Sequence, residues 1–192
     1  MENSVAWQIV AGVDRVLTMD LHADQIQGFF EVPVDHLYAS TLFLGEIEKL
    51  DTSNLVVAAP DAGGAKRANS YAKSLNCGLA LCHKHRKKPN EIAEMTVIGD
   101  VDGKDVIIID DMCDTAGTLT TAADLLIEKG AKSVRAFCTH AVLSGPAYER
   151  IENSKLTELI VTDTIPQSRH SDKIRVITVA DLFGDVIKRL IN

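Results

Sequence analysis

Short runs of wholly apolar residues recur along the chain, and segments with helical periodicity separate them. Leu55–Ala59 (LVVAA), Leu79–Cys82, Asp105–Ile109 (DVIII), Ser133–Cys138 and Glu158–Val161 read as strands, with Arg15–Met19 (RVLTM) before them and Arg175–Thr178 after. Thr41–Leu50, Gly64–Leu75, Gly117–Lys129, Pro146–Ile151 and Ala180–Ile191 read as helices, and Gly130 is a helix stop after Lys129. Strands that are apolar along their length, rather than alternating, must be covered on both faces. Alternation with helices then implies a mainly parallel sheet of the α/β class, with helices on both faces. A hydrophobic share of 46% in 192 residues supplies enough core and excludes disorder.

Charge and cysteine usage narrow the classes of function. The net charge of −7 argues against non-specific nucleic-acid binding, which needs basic stripes. It does not exclude phosphorylated small molecules, because a helix N-terminus holds a phosphate locally. No run reaches the ~20 apolar residues that cross a bilayer, so no membrane partner is expected. The N-terminal MENSVAWQIVAGVDR has neither a basic leader nor a cleavage site, which predicts a cytoplasmic protein. Cys77, Cys82, Cys113 and Cys138 lack paired spacing and read as reduced thiols, with a disulfide or zinc site as the lesser reading.

The segment VIIIDDMCDTAGT (106–118) is the most informative for chemistry. A buried strand is predicted to end in Asp110 and Asp111, and a helix to begin near Gly117. Between them Asp114, Thr115, Ala116, Gly117 and Thr118 offer backbone amides, two hydroxyls and a helix dipole, the groups that a phosphate monoester needs. Ligands of open α/β sheets sit at the carboxyl ends of strands. The two carboxylates would repel a phosphate placed beside them, but suit sugar hydroxyls or a shared cation. A sugar phosphate satisfies both ends. The plainer alternative, that Asp114 or Thr115 is only a helix cap, explains one residue of the set.

DDMCDTAGT resembles the phosphoribosyl-pyrophosphate signature of type I phosphoribosyltransferase folds. TMDLHADQIQGFFEVPVDHLYAS (18–40), APDAGGAKRAN (59–69), HKHRKKPNE (83–91), IGDVDGKDVIIIDD (98–111), THAVLSGPA (139–147) and TDTIPQ (162–167) all resemble the ribose-phosphate pyrophosphokinase family, in order and over almost the whole chain. The resemblance implies transfer of the diphosphoryl group of ATP to ribose 5-phosphate, giving 5-phosphoribosyl 1-diphosphate and AMP, with Mg²⁺ required. It assigns the ribose hydroxyls to Asp110 and Asp111, and the 5-phosphate to Asp114, Thr115, Ala116, Gly117 and Thr118. It makes His22 and Asp61 the magnesium-site residues. From its chemistry alone His22 reads as a hydrogen-bonding or core histidine, since Mg²⁺ prefers oxygen. Asp61 alone reads equally as a turn former beside Gly63 and Gly64. Lys84 and Arg86 match the family's catalytic loop. Lys84 is assigned to charge stabilisation in the transition state, and Arg86 to contact with the ribose phosphate or diphosphate. Lys87 and Lys88 read as a solvated face. His36, His83, His140 and His170 read as structural or surface groups, and Cys113 as a space filler.

The resemblance also divides the chain. Residues 1–40 match a remnant of the family's N-terminal domain, 41–179 its C-terminal phosphoribosyltransferase-like domain, and 180–192 a helix returning towards the N-terminal domain. The family's adenine and ATP contacts precede Ala11 and have no counterpart here, so impaired turnover by the chain alone is expected. A homo-oligomer, a dimer-based hexamer in the family, is expected as well. Two other readings compete: a non-catalytic module that holds ribose phosphates, and a salvage phosphoribosyltransferase. Intact Lys84, Arg86, His22 and Asp61 speak against the first, and the lack of a hood segment for a base against the second.

Overall fold

The computed structural model describes residues 12–51, 53–85 and 94–191, with backbone only at 84, 85 and 94. The chain divides into two compact units, Met1–Thr41 and Leu42–Asn192.

In the first unit β1 (Val16–Met19) pairs in parallel with β2 (Val34–Leu37), and a 3-10 helix (Asp24–Phe29) lies between them in sequence. Arg15 bridges to Asp35 at 2.5 Å, and Thr18 Oγ1 meets His36 Nδ1 at 2.9 Å on directly opposed residues. β2 has no counterpart among the predicted strands, because two of its four residues, Asp35 and His36, are polar. Its ladder to β1 supplies what local propensity does not.

The second unit is a seven-stranded sheet in the order β5-β4-β3-β6-β7-β8-β9. Its elements are α1 (Ser40–Ile47), β3 (Leu55–Ala59), α2 (Ala65–Ser74), β4 (Gly78–His85), β5 (Glu94–Ile98), β6 (Asp105–Cys113), α3 (Gly117–Glu128), β7 (Ser133–Ala141), α4 (Ala147–Asn153), β8 (Glu158–Thr162), β9 (Ile174–Ile177) and α5 (Ala180–Ile191). All pairings are parallel except β4 with β5. The expected mainly parallel sheet is therefore present, and the antiparallel edge strand β5 is an addition to it.

Burial explains the strand positions. Every residue of β3 is buried, as are Val106–Ile109 of β6, while the edge strand β9 is partly exposed throughout. Val106 and Ile108 join Leu119, Ala122, Ala123 and Leu126 of α3 in one core on one face. On the other face Phe43 of α1 meets Phe137 of β7 edge to face, with ring centres 5.3 Å apart. Each fully buried Ile or Phe contributes about 1.5–3 kcal/mol to holding these layers together. Gly130 ends α3 with φ +96, a conformation that a side chain would strain.

The strand order reverses between β3 and β6. β3 runs on through α2 to β4 on one side, while β6 runs on through α3 to β7 on the other. The loops after β3 and β6 therefore lie side by side at the carboxyl edge, where such sheets open a crevice.

Candidate functional site

β6 runs further than its sequence suggests. The predicted strand ends at Ile109, but the ladder to β7 continues through Asp110↔Cys138, Met112↔His140 and Cys113↔Ala141. Asp110 and Asp111 thus lie inside the strand rather than at its end, and His140 likewise lies within β7. Asp111 is nearly buried, and Asp110 keeps 23% of its side chain exposed. Burial and the neighbouring Asp111 push the Asp110 carboxyl up to about 7. Arg67 of α2 answers this density of acid. Its Nη1 lies 3.2 Å from Asp111 Oδ1 and 3.5 Å from Asp110 Oδ1.

The turn from β6 into α3 occupies residues 114–116. Ala116 stands at the helix cap with φ 59, in the left-handed region, and no side-chain cap bond is made there. An alanine in this conformation costs about 1 kcal/mol or more, which the surroundings must hold. They do so through several contacts. The Ala116 amide bonds to the Cys113 thiol, and Thr120 returns Oγ1 to the Ala116 carbonyl at 2.8 Å. Leu143 N donates to Cys113 O and Ser144 N to Asp114 O, both at 3.1 Å, and the Ser144 hydroxyl donates to the Asp114 carboxylate. Arg150 of α4 donates Nη1 to the Thr115 carbonyl at 3.0 Å. A Cβ on Gly117 would stand 3.2 Å from that same nitrogen, so glycine leaves the guanidinium room. Asp114, Thr115 and Thr118 stay exposed at the mouth of this turn. The cap position falls to Ala116, so neither Asp114 nor Thr115 is merely the helix cap. Burial pushes the Cys113 thiol up to about 12, which keeps it protonated and suits a space filler rather than a nucleophile.

Asp61 lies in the neighbouring loop after β3, exposed, and its Oδ1 accepts from Gly64 N at 3.0 Å. It is therefore a turn former, and that bond engages only one carboxylate oxygen. Mg²⁺ is commonly held by one or two carboxylates, with waters and substrate phosphates completing the octahedron, so an exposed carboxylate fits such an ion. His22 is exposed in the first unit, which sets aside a core role for it. Among the described residues no three His, Cys, Asp or Glu side chains gather as a cation cage. Lys84 lies in β4 opposite Met95, and Arg86 lies outside the described residues, as do Lys87 and Lys88. His36 is buried against Thr18, His140 Nδ1 meets Thr164 Oγ1 at 3.0 Å, and His170 is exposed beside Asp172.

Residues 85–192, more than half of the chain, match the phosphoribosyl synthetase-associated domain. The chain belongs to the ribose-phosphate pyrophosphokinase family. A ribose-phosphate pyrophosphokinase from Porphyromonas gingivalis is 59% identical over 181 residues, which span 94% of this chain and 58% of that relative. The chain thus spans little more than half the length of such a relative. The crystal structure of phosphoribosylpyrophosphate synthetase from Mycobacterium smegmatis superposes with a TM-score of 0.91 at 39% identity, over 99% of this chain and 63% of that one. An APRTase from Giardia lamblia, complexed with 9-deazaadenine, shares the fold with a TM-score of 0.51 at 21% identity, over 64% of this chain and 76% of that one. The sheet of this pyrophosphokinase-family chain is therefore of the phosphoribosyltransferase type. Among the described residues no helix is long and apolar enough to cross a membrane.

Sequence reading of this family member misses Arg67 and Arg150. Arg67 reaches the acid pair of β6 and Arg150 reaches the turn, each from a distant segment, 44 residues from Asp111 and 35 from Thr115. The available signal for Arg67 is its place near the start of the helix that follows β3, the strand neighbouring β6.

Proposed function

We propose that the chain acts as a ribose-phosphate diphosphokinase. The anomeric hydroxyl oxygen of ribose 5-phosphate forms a bond to the β-phosphorus of ATP. The bond from that phosphorus to the bridging α,β-oxygen breaks, its electron pair leaves with AMP, and the hydroxyl proton passes to solvent. The products are 5-phosphoribosyl 1-diphosphate and AMP. Asp114–Thr118 receive the 5-phosphate at the N-terminus of α3, and Asp110 with Asp111 accept the ribose hydroxyls. Lys84 and Arg86 neutralise the charge that develops on the transferred group and on the departing AMP. His22 and Asp61 would hold Mg²⁺, which when bound shields the charge of the ATP phosphates. Family membership supports a cytoplasmic homo-oligomer as the working form.

One observation carries this reading. The turn at 114–116 opens at the sheet's reversal point, with Leu143, Ser144 and Arg150 holding the carbonyls of Cys113, Asp114 and Thr115 ahead of the left-handed Ala116, while Asp114, Thr115 and Thr118 remain exposed. A helix cap alone does not call for that scaffolding. Calorimetric titration of the 192-residue chain with ribose 5-phosphate in Mg²⁺ tests binding, and AMP release from ATP tests turnover separately. Saturable binding is expected, with AMP release that depends on ribose 5-phosphate but is weak. Absence of binding overturns the reading.

A further inference from the structure

The acid pair of β6 is served by a cation from another element. Arg67 Nη1 stands between Asp110 Oδ1 and Asp111 Oδ1, at 3.5 and 3.2 Å, and keeps 28% of its side chain exposed. Asp110 Oδ1 also accepts from the Asp111 amide at 2.9 Å, so this oxygen is fixed from two directions. Arg67 lies on the helix that follows the Asp61 turn, and it therefore ties the loop after β3 to the strand that leads into the phosphate turn.

We infer that Arg67 is the positioning residue of the Asp110–Asp111 pair, aiming both carboxylates at the pentose hydroxyls and favouring the charged, accepting form of Asp110. The inference rests on the sugar-phosphate reading of this site. Two adjacent, largely buried carboxyls resist ionising together, and a nearby guanidinium offsets that resistance. The groups facing Asp110 are Asp111 beside it, Cys113 beyond it on the same chain segment, Cys138 across on β7, and Arg67 from α2. Burial pushes both thiols up, so they stay neutral and contribute no counter-charge. A charged acceptor binds a hydroxyl hydrogen more strongly than a neutral one. Arg67 therefore acts on ribose through the acids, without touching it.

The test uses the whole 192-residue chain, with R67Q, R67M and R67K, each checked for cooperative melting. Ribose 5-phosphate affinity in Mg²⁺ is titrated from pH 6 to 9. The carboxyl ¹³C resonance of Asp110 is titrated without ligand over the same range. Removing a charge this close moves a carboxyl midpoint by about one unit or more. R67Q and R67M are expected to raise the Asp110 midpoint and to lose about tenfold in affinity near pH 6.5, the deficit shrinking towards pH 9. R67K, which keeps the charge, is expected to hold the midpoint near wild type. Unchanged carboxyl titration in both neutral variants overturns the inference, as does an equal, pH-independent loss in all three. Should wild type fail to take ribose 5-phosphate, the sugar-phosphate reading falls, while the ligand-free titration still judges Arg67.

Discussion

Ser144 donates its hydroxyl to the Asp114 carboxylate, joining the loops that follow two neighbouring parallel strands, β6 and β7. The backbone repeats the link, with Ser144 N donating to Asp114 O at 3.1 Å. Asp114 therefore shapes the turn as well as lining it. The acid enters the proposed phosphate cradle as a brace, which explains how a carboxylate is tolerated beside an anion.

Asp114→Ala is expected to weaken ribose 5-phosphate binding by about 1–3 kcal/mol, because it removes a charged hydrogen-bond partner that holds the turn. Ser144→Ala leaves the backbone link intact and is expected to cost about 0.5–1.5 kcal/mol. Isothermal titration in Mg²⁺ measures both. Unchanged binding in Asp114→Ala removes that residue from the site.

The left-handed Ala116 sets a limit on what can occupy the cap. Ala116→Val puts a β-branched side chain at φ 59 in a buried position. Strain and overpacking together are expected to destabilise the fold by about 2 kcal/mol or more. Urea unfolding reads this as a lower midpoint with an unchanged slope.

The raised Asp110 carboxyl predicts a pH dependence of stability. Its folded value of about 7 lies above the ordinary carboxylate value of 3.8. Between these two limits the folded state holds a proton that the unfolded state has lost. This group's contribution is therefore fully present below the lower limit and is lost as pH rises to the upper one. Asp110→Asn removes the titration. The variant is expected to gain stability over wild type at pH 8 relative to pH 5, read as the difference in urea midpoints. A constant difference across that range contradicts the assignment.

Phe137→Ala separates frame from site. Phe137 is fully buried and stacks edge to face on Phe43. Its truncation is expected to cost about 3–5 kcal/mol of stability. Because its side chain packs on Phe43, calorimetry on the folded fraction is expected to return wild-type affinity for ribose 5-phosphate.

The central strands were legible because their residues need no help. Leu55–Ala59 and Val106–Ile109 are buried on both faces, so an unbroken apolar run records their setting directly. β5, of sequence EMTVI, is an antiparallel edge strand whose mixed pattern carries no such mark. The extension of β6 through two aspartates was hidden for a related reason. Aspartate disfavours strands, and only the ladder to His140 and Ala141 holds the segment extended. At the site, Asp110–Thr118 could be picked out because the motif is contiguous. Arg67 and Arg150 come from other elements, and no local spacing records what they meet.

The antiparallel pairing of β4 with β5 has a consequence for how this fold tolerates change. His85 faces Glu94 directly, and Lys84 faces Met95. Lys84 therefore stands within the β4–β5 ladder itself. Because backbone pairing sets the register, exchanging the residue at 84 leaves the alignment of the sheet untouched, so evolution or an engineer can retune that position independently of the scaffold.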